Sequence, residues 1–429
     1  MKHKTMFALA AAAMLLSACE EPGPPSFGPE PDLPKPSRGV LPHMVIAEPA
    51  PWGDEQPVVP EGYEIRAIAT DLAIPRQSLL LPNGDILVAE GRGGNAPNLK
   101  PKDVIAGYIK AKGTSSVKGG NRLTLLRDAD GDGVAETRHV LLADLFSPFG
   151  MALVGDQLYI ANADAVVRVP YRDGQTRIDA IPAKVAELPG GPINHHWTKS
   201  LVASADGKRL YVGVGSNSNV GENGMAHETD RAAVLEIDPA SGQRRVYASG
   251  LRNPVGLAWE PATGALWVVV NERDEIGDQL VPDYLTRVRE GAFYGWPYSY
   301  YGAHVDARVQ PPDPAKVASA IAPDYALGAH VAALGLAFAH GEAMPARFRE
   351  GAFIGLHGSW NRAEPAGYKV VFVPFSRGEP AGPPVDVLTG FLDGDGNAHG
   401  RPVGVAFDRG GALLVADDVG NVIWRVAPR

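Results

Sequence analysis

Histidines, arginines, asparagines and acids recur in this chain at two kinds of position. Ahead of short apolar runs stand Arg76-Gln77, His195-His196, Arg252-Asn253, His330 and Arg401. Behind a second set of apolar runs stand Glu90-Gly91-Arg92, Asn162 and Asp164, and Ser216-Asn217. Asn271-Glu272-Arg273-Asp274, His357 to Arg362 and Asp417-Asp418 follow in the same way. These residue types bind ligands and move protons: a histidine titrates near neutrality, and the guanidinium fork matches a carboxylate. Turn chemistry alone would place such residues at hairpin ends. It would not place them in register with a repeat, so they are read as lining one site.

The repeat is an apolar strand, a Gly/Asp turn and a second apolar strand. Copies run over Ser78–Glu90, Gly150–Asp164, Ser200–Asn217, Val255–Asp274, Leu334–Ser359 and Val403–Asp418. Their starts lie roughly 50–80 residues apart, the length of one four-stranded blade with its loops. The six copies predict an all-β fold: a six-bladed β-propeller with four-stranded antiparallel blades. In an antiparallel hairpin the start of the first strand and the end of the second share an edge. Radial repetition gathers those edges around one mouth. Tyr63–Ala69 has no hairpin of its own, and Asn421–Val426 is a last strand; the two are expected to share the sixth blade and close the ring.

Hydrophobic content of 45% and charged content of 21% are those of a globular protein. A net charge of -9 argues against nucleic acid as a partner and makes clustered arginines more informative. Lys2, His3 and Lys4 precede the apolar run Met6–Leu16 and then Leu16-Ser17-Ala18-Cys19. This resembles a bacterial lipobox with cleavage before Cys19, and the run is too short to span a bilayer. The expected organisation is a lipoprotein signal peptide at 1–18, a Pro-rich tether at 19–60 and the propeller at 61–429. A lipidated Cys19 would anchor the protein in the cell envelope, facing the periplasm. Glu20, where inner-membrane retention favours Asp, points to the outer membrane. A plain signal peptide is the alternative. Cys19 is the only cysteine, which excludes an internal disulfide, a cysteine zinc site and a Cys-x-x-Cys-His haem attachment.

Leu251-Arg252-Asn253-Pro254-Val255-Gly256, Asn271 to Asp274, and Tyr294-Gly295-Trp296-Pro297, together with His195-His196 and the repeats, resemble the glucose/sorbosone dehydrogenase family over about Gly62 to Val426. The resemblance implies a quinoprotein propeller that uses pyrroloquinoline quinone and calcium, similar to the sorbosone dehydrogenase-like and pyranose dehydrogenase members. It implies oxidation of an aldose or sorbosone-like sugar to a lactone or acid. Arg252 and Asn253 would approach the quinone oxygens, with Arg252 stabilising charge that develops there. Arg92, His357, Arg362 and Arg401 would help to bind the cofactor, whose carboxylates call for fixed cations. His196 matches the family's base, which takes the O–H proton while hydride leaves carbon. His195 stands where soluble glucose dehydrogenase has an acid. Ser216 stands where that enzyme has an aspartate that orients the base, leaving open what holds the imidazole.

Calcium enters twice. The resemblance places one ion on backbone carbonyls at about Arg273 and Asp274, polarising the quinone. Separately, Asp128, Asp130, Asp132 and Glu136 follow the first part of an EF-hand loop, although position twelve is His139. That loop reads equally as a weak calcium site or a plain acidic turn. The aromatic run Tyr294, Trp296, Tyr298, Tyr300 and Tyr301 suits either sugar faces or blade packing, with packing favoured for Trp296. Partners would be a small sugar, the membrane through the anchor, and an external electron acceptor, a quinone or a cytochrome, because the chain has no haem motif. Two rival readings remain: a lactonase-type propeller with calcium on side-chain carboxylates, and a non-catalytic sugar-binding propeller. Quinone affinity separates them.

Overall fold

A computed structural model of the protein describes residues 27–37, 43–93, 97, 100–339 and 344–429. Cys19 and the signal-peptide segment lie outside the described residues. Each hairpin read from the sequence supplies the two inner strands of a four-stranded antiparallel blade, and six such blades form a β-propeller. Blade one is Pro75–Leu80, Ile86–Glu90, Arg122–Arg127 and Thr137–Leu142. Blade six is Pro402–Phe407, Leu413–Asp417 and Val422–Pro428, completed by Tyr63–Ala69 from the other end of the chain. The ring therefore closes where the first and last strand patterns were expected to meet.

Second strands are apolar on both faces because each lies between two neighbouring strands and two neighbouring blades. Ile86–Glu90, Leu210–Val214, Leu266–Val270, Gly351–Leu356 and Leu413–Asp417 are buried along their whole length. Phe149, Val255, Leu334 and Val403 form a separate apolar cluster drawn from four blades. Four of the six first strands carry register shifts near their starts, as between Pro254 and Leu257 and between Ala333 and Gly335. Such bulges bend a strand and re-aim the residues at its end. Gly335 has no substitute there: a Cβ would lie 2.1 Å from the Val403 carbonyl oxygen of the next blade.

Two segments outside the blades cross the mouth. The first is the Pro-rich stretch expected to be a tether. Phe27–Gly28 adds an outer strand to blade four, against Tyr325–Ala329. Ser37 N–H donates to the Ile276 carbonyl at 3.0 Å, Val45 bridges Arg362, and Pro49 bridges Ala398. Trp52 stacks on His399, meets Phe391 and Trp424 edge-on, and donates from Nε1 to Asp417 at 2.9 Å. Thus residues 27–37 and 43–60 run from blade four to blade six along the rim. Prolines favour extended backbone, and the few apolar residues, Ile46, Ala47 and Trp52, supply contacts. The second segment is residues 91–121, inserted between the second and third strands of blade one and carrying helix α1, Pro101–Lys112. Among the described residues, no helix is long and apolar enough to cross a membrane.

Candidate active site at the propeller mouth

A cavity of about 280 Å³ opens where the first strands begin and the second strands end. Its floor and walls hold His196, Arg252, Asn253, Asn271, Glu272, Asp274, Asp283, His330, His357, Asn361 and Arg401. Its remaining lining includes Ile46 from the rim segment and Lys110 and Thr114 from the insertion, which form a roof.

His196 is held through its backbone and one ring nitrogen. Its carbonyl accepts from Lys199 Nζ at 3.4 Å and Arg231 Nη2 at 3.2 Å. Its Nδ1–H donates to the Ser216 carbonyl at 2.7 Å, with Ser216 Oγ at 3.1 Å. A main-chain oxygen thus does the orienting that the resemblance assigns to an aspartate, and it fixes the tautomer with the lone pair on Nε2. Gly215 makes the approach possible: a Cβ there would lie 2.2 Å from Asn253 Oδ1 and 2.5 Å from His196 Cβ. Burial, and next the charge of Arg252, hold the His196 pKa well below the ordinary histidine range. At neutral pH the ring is a free base. His195 points elsewhere, with Nε2 3.1 Å from the Pro97 carbonyl.

Arg252 lies at the centre of a polar knot. Its Nη1 meets the Glu272 carbonyl at 2.6 Å and the Asn271 carbonyl at 3.5 Å. Its Nη2 meets Asn219 Oδ1 at 3.0 Å and Asp274 at 3.2 Å, and its Nε meets the Asn219 carbonyl at 3.3 Å. All five donors of the fork are engaged, so Arg252 offers the cavity its charge. Burial alone would raise the Asp274 pKa, but Arg252 and His330 outweigh it and keep the carboxyl ionised. Asp283, by contrast, is pushed up by burial to about 7 while it accepts from the Glu272 and Ala332 amides. Arg401 donates to the His357, Gly358 and Gly113 carbonyls at 2.9, 2.6 and 3.3 Å. His357 faces Asp418 at 2.9 Å, and burial together with Arg401 lowers its pKa to about 4. Arg76 also pairs with Asp418.

The structure brings His196, Arg252, Asn253, Asp274, His357 and Arg401 together and leaves other expected residues out. Arg92 is exposed and does not line the cavity. Arg362 donates to the Ala329 and Glu364 carbonyls at 3.0 and 3.2 Å and serves the loop fold. Arg273 is fully buried outside the cavity, with its guanidinium shared among Glu272, Asp306 and the Pro297 and Ser299 carbonyls. The Asp274 carbonyl, an expected calcium ligand, accepts from Asn219 Nδ2 at 3.0 Å and Arg308 Nη1 at 2.8 Å. N–H donors and two guanidinium groups thus surround that position, and a dication does not fit it as the side chains stand. Tyr294, Trp296, Tyr300 and Tyr301 are buried in packing, and Trp296 donates to the Asn219 carbonyl at 2.9 Å.

Asp128, Asp130, Asp132 and Glu136 do converge, with ligand oxygens within 4.8 Å of one another. They lie at the end of blade one opposite the mouth, and Asp128 accepts from the Gly131 and Gly133 amides at 2.7 and 2.9 Å. His139 sits in the fourth strand against Leu125. This is the only such cluster among the described residues, so the mouth presents no carboxylate cage of the kind a lactonase would need.

A tricarboxylate quinone does fit the donor chemistry of the mouth. Cationic Arg252 and Arg401 are fixed, and buried Asn253 Oδ1 has no hydrogen-bond partner among the described residues. Trp360 and Asn361 fall within the His357 to Arg362 stretch read from the sequence, whereas Lys110 was not singled out. The available signal was length: residues 91–121 are more than a strand connection requires.

Comparison with known proteins agrees with the fold. Residues 156–359 match the Glucose / Sorbosone dehydrogenase family model, and residues 309–428 match the TrAA12-like model. The sequence is 29% identical over 308 residues to an uncharacterized protein of Borreliella burgdorferi, covering 67% of this chain and 77% of that one. It is 26% identical over 298 residues to the pyrroloquinoline quinone-dependent pyranose dehydrogenase of Coprinopsis cinerea, covering 54% of this chain but 39% of the relative. The fold is similar to that of the quinone domain of the Coprinopsis cinerea enzyme in its holo form. That match has a TM-score of 0.70 at 22% identity and covers 87% and 97% of the two chains. The soluble aldose sugar dehydrogenase of Escherichia coli gives a TM-score of 0.59 at 16% identity, covering 86% and 100%.

Proposed function

We propose that this chain, which resembles the glucose/sorbosone dehydrogenase family, is a pyrroloquinoline quinone-dependent sugar dehydrogenase acting on an aldose or sorbosone-like sugar. The observation that carries the reading is the His196–Ser216 contact beside Arg252 and Asn253. It yields a neutral imidazole whose Nε2 has no partner among the described residues, in a cavity of fixed positive charge.

Arg252, Asn253 and Arg401 would hold the quinone, which would supply a hydride acceptor for the sugar carbon. His196 Nε2 takes the hydroxyl proton, while Nδ1–H stays on the Ser216 carbonyl and holds the ring. Lys199 and Arg231 keep the His196 backbone from moving as the ring charges. Arg252 presents a charge that needs no reorganisation, because its donors are already bound to the protein. Arg401 has two donors left over for a cofactor carboxylate. A cyclic hemiacetal would give a lactone and an aldehyde hydrate would give an acid. Electrons would then pass to an external acceptor. A lipid anchor at Cys19 and a periplasm-facing, outer-membrane position complete the proposal, motivated by the lipobox pattern.

The test is a titration of purified protein with the quinone, read by absorption and fluorescence, followed by sugar-dependent dye reduction. Saturable quinone binding with turnover supports the reading. Absence of quinone binding would return the chain to the class of non-catalytic sugar-binding propellers.

A further inference from the structure

The cations of the mouth are not equivalent. Arg252 has spent all five donors, and Arg401 has spent three on carbonyls and is 4% exposed on the floor. The Lys110 side chain makes no hydrogen bond and no ion pair among the described residues, so its three N–H donors are unspent there. Its Nζ lies 3.9 Å from the centre of the Trp360 ring, which also lines the cavity. The acids of the mouth are committed elsewhere. Asp274 serves Arg252 and Asn361, Glu272 serves Arg273, and Asp283 accepts two backbone amides. The cavity therefore holds an ammonium that has no ion-pair partner at contact distance among the described residues, although the charges of Asp274, Asp103 and Glu275 reach it.

A lysine in the last turn of a helix is commonly explained by the helix dipole. Lys112 meets that explanation: it occupies the same turn, is exposed, and pairs with Glu48 at 3.0 Å. Lys110 is exposed as well, but its ammonium lies over Trp360 and lines the cavity. It belongs to the roof, made of chain inserted between blade strands, whereas His196, Arg252 and Arg401 come from the blade ends beneath. A sugar oxidised by His196 must enter under that roof. A buried, rigid guanidinium suits a resident cofactor, and a long flexible ammonium suits a ligand that comes and goes.

We propose that Lys110, beside Trp360, is the binding group for a carboxylate carried by the sugar, so that the substrates are sugar acids of the uronic type. This rests on the dehydrogenase reading for its chemistry, but not for the binding itself. A hydrogen bond to a charged group of this kind corresponds to a preference on the order of 10–100-fold.

The experiment uses the quinone-loaded protein with D-glucuronate and D-glucose. It compares kcat/KM, sugar binding followed by NMR saturation transfer, and quinone affinity followed by fluorescence. Wild type should favour glucuronate. Lys110→Met should lower the glucuronate-to-glucose ratio by on the order of 10–100-fold, Lys110→Arg should restore much of it, and Lys112→Met should leave it unchanged. High salt should erode the preference in wild type. A wild type that prefers glucose, or a ratio indifferent to Lys110, overturns the proposal while leaving the dehydrogenase reading intact. Loss of quinone affinity in Lys110→Met also overturns it, by assigning the lysine to the cofactor. Glucuronate binding that depends on Lys110, in a protein that oxidises no sugar, upholds the acid site and removes the dehydrogenase reading instead.

Discussion

Replacing His196 by asparagine separates the work of its two ring nitrogens. Asn Nδ2 can take the place of Nδ1–H and keep the 2.7 Å contact with the Ser216 carbonyl, but nothing then occupies the place of Nε2. If Nε2 is the base, kcat/KM should fall about 10²–10⁴-fold, or about 3–5 kcal/mol in the barrier. Quinone affinity, set before any sugar arrives, should barely move. Thermal stability should also hold, because the buried Ser216 carbonyl keeps a donor. His196→Ala removes that donor as well and should cost about 1–3 kcal/mol of stability in addition. The assay is dye reduction at saturating quinone across pH, with quinone affinity and melting measured on the same samples. Burial and Arg252 lower the His196 pKa, so the acidic limb of the wild-type profile should lie below 6.5. Raising the pH removes the imidazolium proton, so the rate should climb through that pKa and then stay level. Ser216→Asp adds a carboxylate beside Nδ1 and should move the limb towards alkaline pH. An asparagine variant within tenfold of wild type, or a limb at or above 6.5, would refute the assignment of His196 as the base.

Arg401→Ala should weaken quinone binding by about tenfold or more through loss of a charge-assisted bond. Arg92→Ala, at an exposed position outside the cavity, should change it by no more than about twofold; fluorescence titration decides both. Trp52→Ala removes a half-buried ring from the rim and the Nε1 donor from buried Asp417, and should cost about 2 kcal/mol in denaturant unfolding. Mass spectrometry of membrane-extracted protein should show lipid on Cys19, and Cys19→Ala should release the protein from the membrane fraction; an unmodified mature terminus in wild type would end the anchor proposal.

The architecture was legible in the sequence because a hairpin repeat is a local pattern. Each apolar run names its strand, each Gly/Asp pair names its turn, and closure follows from the unpaired runs at Tyr63 and Asn421. The Pro-rich stretch was less legible. It has no period of its own, since Ile46, Ala47 and Trp52 are spaced by the blades they cross rather than by a helix or a strand. The roof was missed for a related reason. Lys110 enters the site through a helix inserted between two strands, so its position depends on how 91–121 folds back and not on the repeat.

The arginines show where pattern reading loses resolution. Every blade edge must satisfy carbonyls left over as strands end, and a guanidinium does this well. The same residue type also binds carboxylates. Arg92, Arg252, Arg362 and Arg401 all stand at such edges, and no feature of their sequence neighbourhoods tells the two uses apart. The donor accounting does. Arg362 closes a loop outside the mouth. Arg252 faces the cavity but has committed its whole fork to the protein, so its charge can act on a bound ligand without directing hydrogen bonds at it. Arg401 keeps two donors in reserve. A site built this way separates field from contact. The field comes from a cation locked among Asn219, Glu272 and Asp274, and contact falls to groups with donors to spare. That division suits a base at His196 whose pKa is lowered first by burial and then by an Arg252 that cannot turn away from it.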